Sequence, residues 1–180
     1  MLEYVTLAWN VVGCWIVLGA AYAARSVALV GFGIDSVIEI FASVIVVWQL
    51  KAIKKDQEQL AERLIGVAFL LLAIYIALQS AIVLYAGFHP KTSSLGIIWL
   101  TLTVLAMLLL AHGKGQTGKA LGNPVLQREA RVTAIDGVLA GTVLMGIALN
   151  ALFGLWWADP LAALVIVYYG VREGGAALRG

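Results

Sequence analysis

Charge is what this 180-residue chain has least of. Only 12% of its residues are Asp, Glu, Lys or Arg, 62% are hydrophobic, and the mean hydropathy is +0.97. A soluble domain carries about 25% charged and about 45–50% apolar residues. The apolar excess excludes one core surrounded by water and leaves little chain for a soluble domain. Cysteine is nearly absent: Cys14 stands alone in an apolar run, which excludes an intrachain disulfide and predicts a small buried residue. The start, Met1-Leu2-Glu3-Tyr4, lacks the basic region and small-residue cleavage site of a signal peptide, so the first apolar run is expected to stay as a helix. The basic residues form no patch interleaved with aromatics, and no nucleic-acid partner is expected. The two histidines, His89 and His112, fall at opposite ends of the predicted spans and cannot share a site.

What the chain has in abundance is apolar runs long enough to cross about 30 Å of hydrocarbon. They predict an all-α membrane protein of six transmembrane helices, at about 4–23, 26–50, 64–85, 94–111, 130–153 and 159–172, forming one membrane domain over 1–180. Helices are the expected spanning form because each satisfies its own backbone groups. Ten of the twelve Lys and Arg residues fall at one side: Lys51, Lys54, Lys55 and Arg63, then Lys114, Lys119, Arg128 and Arg131, then Arg172 and Arg179. Only Arg25 and Lys91 fall at the other, so both termini are expected in the cytoplasm, with Trp156 and Trp157 as outer interfacial anchors. The glycine-rich stretch from His112 to Gln127 reads as a flexible cytoplasmic connection between two three-helix halves. Ile34-Asp35-Ser36-Val37-Ile38 in the second span echoes Ile135-Asp136-Gly137-Val138-Leu139 in the fifth. Three spans per half run these two in opposite directions, the inverted-repeat pattern of many transporters.

Three acids stand inside the spans. Asp35 and Glu39 lie in the second, four residues apart and therefore on one helix face, and Asp136 lies in the fifth. A carboxylate at mid-helix costs roughly 2.5–3.5 kcal/mol on insertion scales, so something should offset it. Apart from Arg131 and Arg172 at span ends, the predicted spans hold no Lys, Arg or His to pair with them; a proton, water or a bound metal ion remains, or else protonated carboxyls that only fix helix packing. Gly137 and Gly141 permit close approach of another helix, as Ser36 and Ser43 do on the second span, so the three acids are expected to converge where these helices meet. Oxygen ligands with water suit a divalent cation. Glu129, seven residues before Asp136 on the same face, reads as a solvated helix-start carboxylate or as the lining of a cytoplasmic entrance. Asp159-Pro160 reads as the N-cap and first residue of the sixth helix. Asn10 in the first span and Asn150 in the fifth are candidates for interhelical hydrogen bonds, and Asn10 is also a candidate for lining a pathway.

Ser26-Val27-Ala28-Leu29 leading into Gly33-Ile34-Asp35-Ser36-Val37-Ile38-Glu39-Ile40-Phe41-Ala42-Ser43 resembles the second helix of cation diffusion facilitator transporters, which carries a D/H-x-x-x-D pair there. Trp157-Ala158-Asp159-Pro160-Leu161-Ala162-Ala163 resembles the start of that family's sixth helix. The resemblance implies a divalent-metal/proton antiporter, a homodimer that moves zinc or a similar ion out of the cytoplasm. Four ligands, two from each of helices two and five, form the family's transport site. Asp35 and Glu39 fall on the first pair, with Glu in place of the usual Asp, and Asp136 falls on the second residue of the other pair. That pair's first position is Val132, which cannot bind metal; Thr133, Glu129, a water or another side chain would replace it.

The family's cytoplasmic metal-binding domain has no counterpart in the stretch from Arg172 to Gly180, so a short member that dimerises through its membrane helices is expected, in a bacterial inner membrane. Without the helix-five histidine, an oxygen-only site favours Mn²⁺, Fe²⁺, Co²⁺ or Mg²⁺ over a role exclusive to Zn²⁺. The divalent ion is substrate, and no organic cofactor or enzymatic activity is expected. Alcohol phosphatidyltransferases also use Asp-rich helices, but they need about four aspartates at set spacing, and none follows Asp136-Gly137 within the span. The other reading is a non-transporting metal-binding partner or sensor with a degenerate site, to which the gap at Val132 points.

Overall fold

The computed structural model describes the backbone of residues 2–52, 55–122 and 124–179, and the side chains of 4–41, 63–122, 127 and 130–179. These residues form six helices and no strand: α1 (Leu2–Ala24), α2 (Val27–Ala52), α3 (Lys55–Ala86), α4 (Ser94–Ala120), α5 (Pro124–Phe153) and α6 (Ala158–Arg179). Among the described residues, five helices are long and apolar enough to cross a membrane; the remaining one is α2, whose side chains beyond Phe41 lie outside the described set. The expected all-α, six-helix membrane architecture is what the chain adopts. Consecutive helices pair as α1–α2 and α4–α5, while α3 pairs with α6. α2 sits at the centre, touching α1, α3, α5 and α6.

All six helices reach past their predicted spans, four of them by more than a turn. α3 begins at Lys55 rather than near residue 64, because Lys55-Asp56-Gln57-Glu58-Gln59 is followed by more strong helix formers, which extend a helix beyond the hydrocarbon. α6 runs on to Arg179. The largest departure is the glycine-rich connection. α4 continues to Ala120 and α5 begins at Pro124, so the expected flexible loop is a tight turn. Each glycine inside a helix costs about 1 kcal/mol relative to alanine, and α4 recovers that by packing along α5. The turn is closed by the Leu121 N–H donating to Thr117 O (3.0 Å) and the Gly122 N–H to Lys119 O (3.2 Å), with Gly122 at φ +59°. That left-handed backbone is one glycine adopts without a Cβ penalty. Pro124 then opens α5, a position where a missing N–H costs nothing.

Side chains sort by face along α4. Leu95, Ile98, Leu102, Leu105 and Leu109 are exposed at helical spacing, as lipid-facing residues should be. Gly96, Leu100, Thr103, Met107, Lys114 and Gly118 form the buried face. α3 and α6 approach so closely that a Cβ on Gly174 would lie 2.8 Å from the Gly66 carbonyl oxygen. Small residues let backbones meet where lipid offers no hydrophobic drive to associate.

The start of α2 is held from across the bundle. Asp159 is fully buried and accepts from the Ser26 hydroxyl and from the backbone N–H groups of Val27 (2.9 Å) and Ala28 (3.4 Å). Ser26 in turn accepts from the Leu29 N–H (3.1 Å). Asp159 was expected to cap its own helix. Instead it is the second residue of α6, with Pro160 third, and it caps α2. A carboxylate at a helix N-terminus satisfies orphan donors and complements the dipole, and here the partner helix is the one in need.

Candidate functional site

The site is built on the middle of α2, because that helix alone carries two of the three acids and packs against four others. Gly33 sets the approach of α1: a Cβ there would lie 2.5 Å from Leu18 Cδ2. Cys14, buried as expected, places its Sγ 3.8 Å from the Gly33 carbonyl oxygen. One to two turns further along each helix, Asn10 Nδ2 donates to Glu39 Oε2 at 3.4 Å. Asn10 is therefore an interhelical bond to one of the candidate carboxylates. α1 is itself fixed against α4, with Trp9 stacked on Trp99 (centroids 5.0 Å apart) and its Nε1–H donating to Thr103 Oγ1 at 3.1 Å.

Asp35 is buried and interacts electrostatically with Asp136 of α5 and Glu173 of α6. α2 and α5 touch, and these two acids stand on the touching helices. Asp136 is buried as well. Glu173 joins this group unforeseen. The sequence placed it in a tail, whereas the structure places it on an exposed position of α6, within Coulombic reach of Asp35. Among the described residues, no three or more His, Cys, Asp or Glu side chains stand close enough to hold a metal ion. The Glu129 side chain lies outside the described residues, as does that of Ser43.

The reason expected for the meeting of α2 and α5 is not the one found. Gly137 and Gly141 face α4: a Cβ on Gly137 would lie 3.3 Å from Met107 Cβ, and one on Gly141 3.8 Å from Val104 Cγ2. Ser36 turns its hydroxyl back to the Phe32 carbonyl oxygen (3.0 Å) rather than offering it to α5. The small residues after Asp136 seat α4, and α4 brings a residue that hydropathy places in a loop. Lys114 is 0% exposed, and its Nζ donates to Thr133 Oγ1 at 3.0 Å. Contrary to the expectation of spans free of basic residues except at their ends, the polar interior contains an ammonium. Lysine is almost never fully buried unless paired, and Thr133 is one of its partners.

This also resolves the gap at Val132. Positions three and four before Asp136 both flank its face, but only one of them points inward here. Thr133 does, at 1% exposure; Val132 is 43% exposed. The seat expected of a fourth ligand is turned away from the site. Restoring a histidine there is therefore expected to restore nothing: Val132→His should leave zinc affinity at its starting value in a calorimetric titration. A marked gain in affinity would show that α5 is rotated relative to this structure.

At the far end of the bundle, Asn150 Nδ2 donates to the Pro90 carbonyl oxygen (2.8 Å) and His89 stacks edge-on against Trp156 (5.0 Å). His112 lies on α4 instead, 2.9 Å from Gln116 Nε2. Neither histidine joins the carboxylates.

The family model described as the cation efflux transmembrane domain matches residues 4–179 of the chain. No curated protein matches it.

Proposed function

The chain belongs to the cation efflux family of membrane cation transporters, and from that premise we propose that it exports divalent metal ions from the cytoplasm in exchange for protons. Asp35 and Glu39 on α2 and Asp136 on α5 are the ligands of this reading. Thr133, Glu129 and Asn10 stand around them, Asn10 through its bond to Glu39. The observation that carries it is that Asp35 and Asp136 are both buried, stand on helices that touch, and repel one another. Carboxylates brought together away from water repel unless a cation or protons come between them. Alternation of the two is an exchange cycle: metal binding expels the protons, and protonation releases the metal. Oxygen ligands favour Mn²⁺, Fe²⁺ or Co²⁺, with Zn²⁺ accepted but not preferred. Dimerisation through membrane helices and residence in a bacterial inner membrane with cytoplasmic termini complete the reading.

The test is a panel of Mn²⁺, Fe²⁺, Co²⁺ and Zn²⁺ applied to proteoliposomes loaded with a pH-sensitive dye. The expected result is a proton movement opposite to the metal gradient, present for at least one ion and absent from empty vesicles. No metal-dependent pH change for any ion would sink the exchange mechanism.

A second reading has its own support. Among the described residues no three-ligand group forms, and Val132 faces outward. A metal-binding partner or sensor would bind ions without moving protons, and the same vesicles, together with binding to the purified protein, separate the two.

A further inference from the structure

The buried lysine sits where the site would otherwise take another ligand. Thr133 is the inward-facing residue one turn before Asp136, and the Lys114 ammonium rests on its hydroxyl at 3.0 Å. Side chains three apart on a helix have Cβ atoms about 5–6 Å apart, so this cation stands beside the Asp136 side of the site. Asp136 in turn interacts with Asp35. The lysine is not a stray charge at a helix end. It shares the buried face of α4 with Leu100, Thr103 and Met107. Two features of the surrounding backbone also bring it inward: α4 stays helical through a glycine-rich stretch, and Gly137 lets α4 close on α5.

We propose that Lys114 is a specificity-determining residue for ion transport: its tethered ammonium fills the fourth seat of the carboxylate site, offsets one of the three negative charges, and so sets how tightly a divalent ion is held. This rests on the reading of Asp35, Glu39 and Asp136 as the ion site. A fixed positive charge beside the carboxylates weakens their hold on a divalent ion and so favours its release. With the ammonium present, the site's remaining charge matches a divalent ion and does not exceed it. The lysine also keeps the Thr133 oxygen engaged as an acceptor, which leaves that hydroxyl a poor metal ligand.

The experiment uses the purified full-length chain with Mn²⁺ as probe, measuring binding by calorimetry and transport in proteoliposomes. Lys114→Met, which keeps the length of the side chain and removes its charge, is expected to lower the Kd for Mn²⁺ at least tenfold. KM and turnover should fall together, because release becomes slow. Lys114→Arg, which keeps the charge, is expected to stay near wild type. A purely structural lysine would instead lower thermal stability and leave the Kd unchanged, and an unchanged or raised Kd in folded Lys114→Met overturns the proposal. If Lys114→Met does not fold, Thr133→Ser and Lys114→Gln decide. Thr133→Ser, which keeps the hydroxyl that holds the ammonium, should leave the Kd at the wild-type value, while Lys114→Gln, which removes the charge but keeps a donor for Thr133, should lower the Kd for Mn²⁺ at least tenfold; an unaltered Kd in Lys114→Gln overturns the proposal. Asp136→Asn and Asp35→Asn, run in parallel, separate the two failures. If they bind Mn²⁺ like wild type, the site itself is misplaced; if they lose binding while Lys114→Met is unaltered, only the role of the lysine falls.

Discussion

Asp159→Ala is expected to destabilise the protein by about 2–4 kcal/mol, since a buried acceptor whose removal strands its donors costs about 1–3 kcal/mol per unmet group and a lost N-cap about 1. Three donors depend on this carboxylate, the Ser26 hydroxyl and the N–H groups of Val27 and Ala28, and all lie where water does not reach. All of these groups are buried within the bundle, so water cannot readily replace the lost acceptor. Asp159→Asn keeps one acceptor oxygen and loses the charge, so its effect should be intermediate. Ser26→Ala removes one donor together with the acceptor used by Leu29, and should be milder than Asp159→Ala. Thermal unfolding in detergent, followed by tryptophan fluorescence, ranks the three. An Asp159→Ala protein as stable as wild type would mean that α2 starts without help from α6.

That contact shows what a linear reading can and cannot reach. Asp159-Pro160 looks like a local helix start, and local chemistry assigns the carboxylate to its own helix. The partner lies 132 residues away at Val27, and nothing in either stretch encodes their proximity. The six helices were legible because apolar runs near twenty residues have few other uses. Their ends were not, because hydropathy stops at the first charge whereas a helix does not. Lys114 is the clearest case. A hydropathy window closes at Ala111, and everything beyond it reads as a cytoplasmic loop. The available signal was periodic: Lys114 follows Met107 by seven residues and Leu100 by fourteen, in step with the buried face of α4. The acids were legible for the opposite reason, since a charge inside an apolar run stands out. The echo between the two helices pointed to the interface of the halves, and α2 and α5 do touch. That the glycines after Asp136 face α4 rather than α2 did not, because a small-residue pattern says that some helix comes close and not which one.

Asp136→Asn should abolish metal-driven flux, lowering it roughly 100-fold or more. A 100-fold loss corresponds to about 2.8 kcal/mol of ion binding, while a unit charge 4 Å from its counter-charge interacts by about 4 kcal/mol at an effective dielectric constant of about 20. A divalent ion feels twice that, so loss of one of three carboxylates is ample cause. Asparagine matches the shape of aspartate, and Gly137 and Gly141 seat α5 against α4 at positions separate from it. The variant should therefore fold, and its thermal unfolding can verify that before flux is read. Asp35→Asn should do the same from the α2 side. The double variant discriminates further: residues that act on one ion are not additive, so Asp35→Asn combined with Asp136→Asn should be no worse than either alone. Two partial losses that multiply would place the carboxylates at separate steps of the path. Full flux in Asp136→Asn would remove the fifth helix from the site and leave α2, with Asn10 set against Glu39, to carry the ion without it.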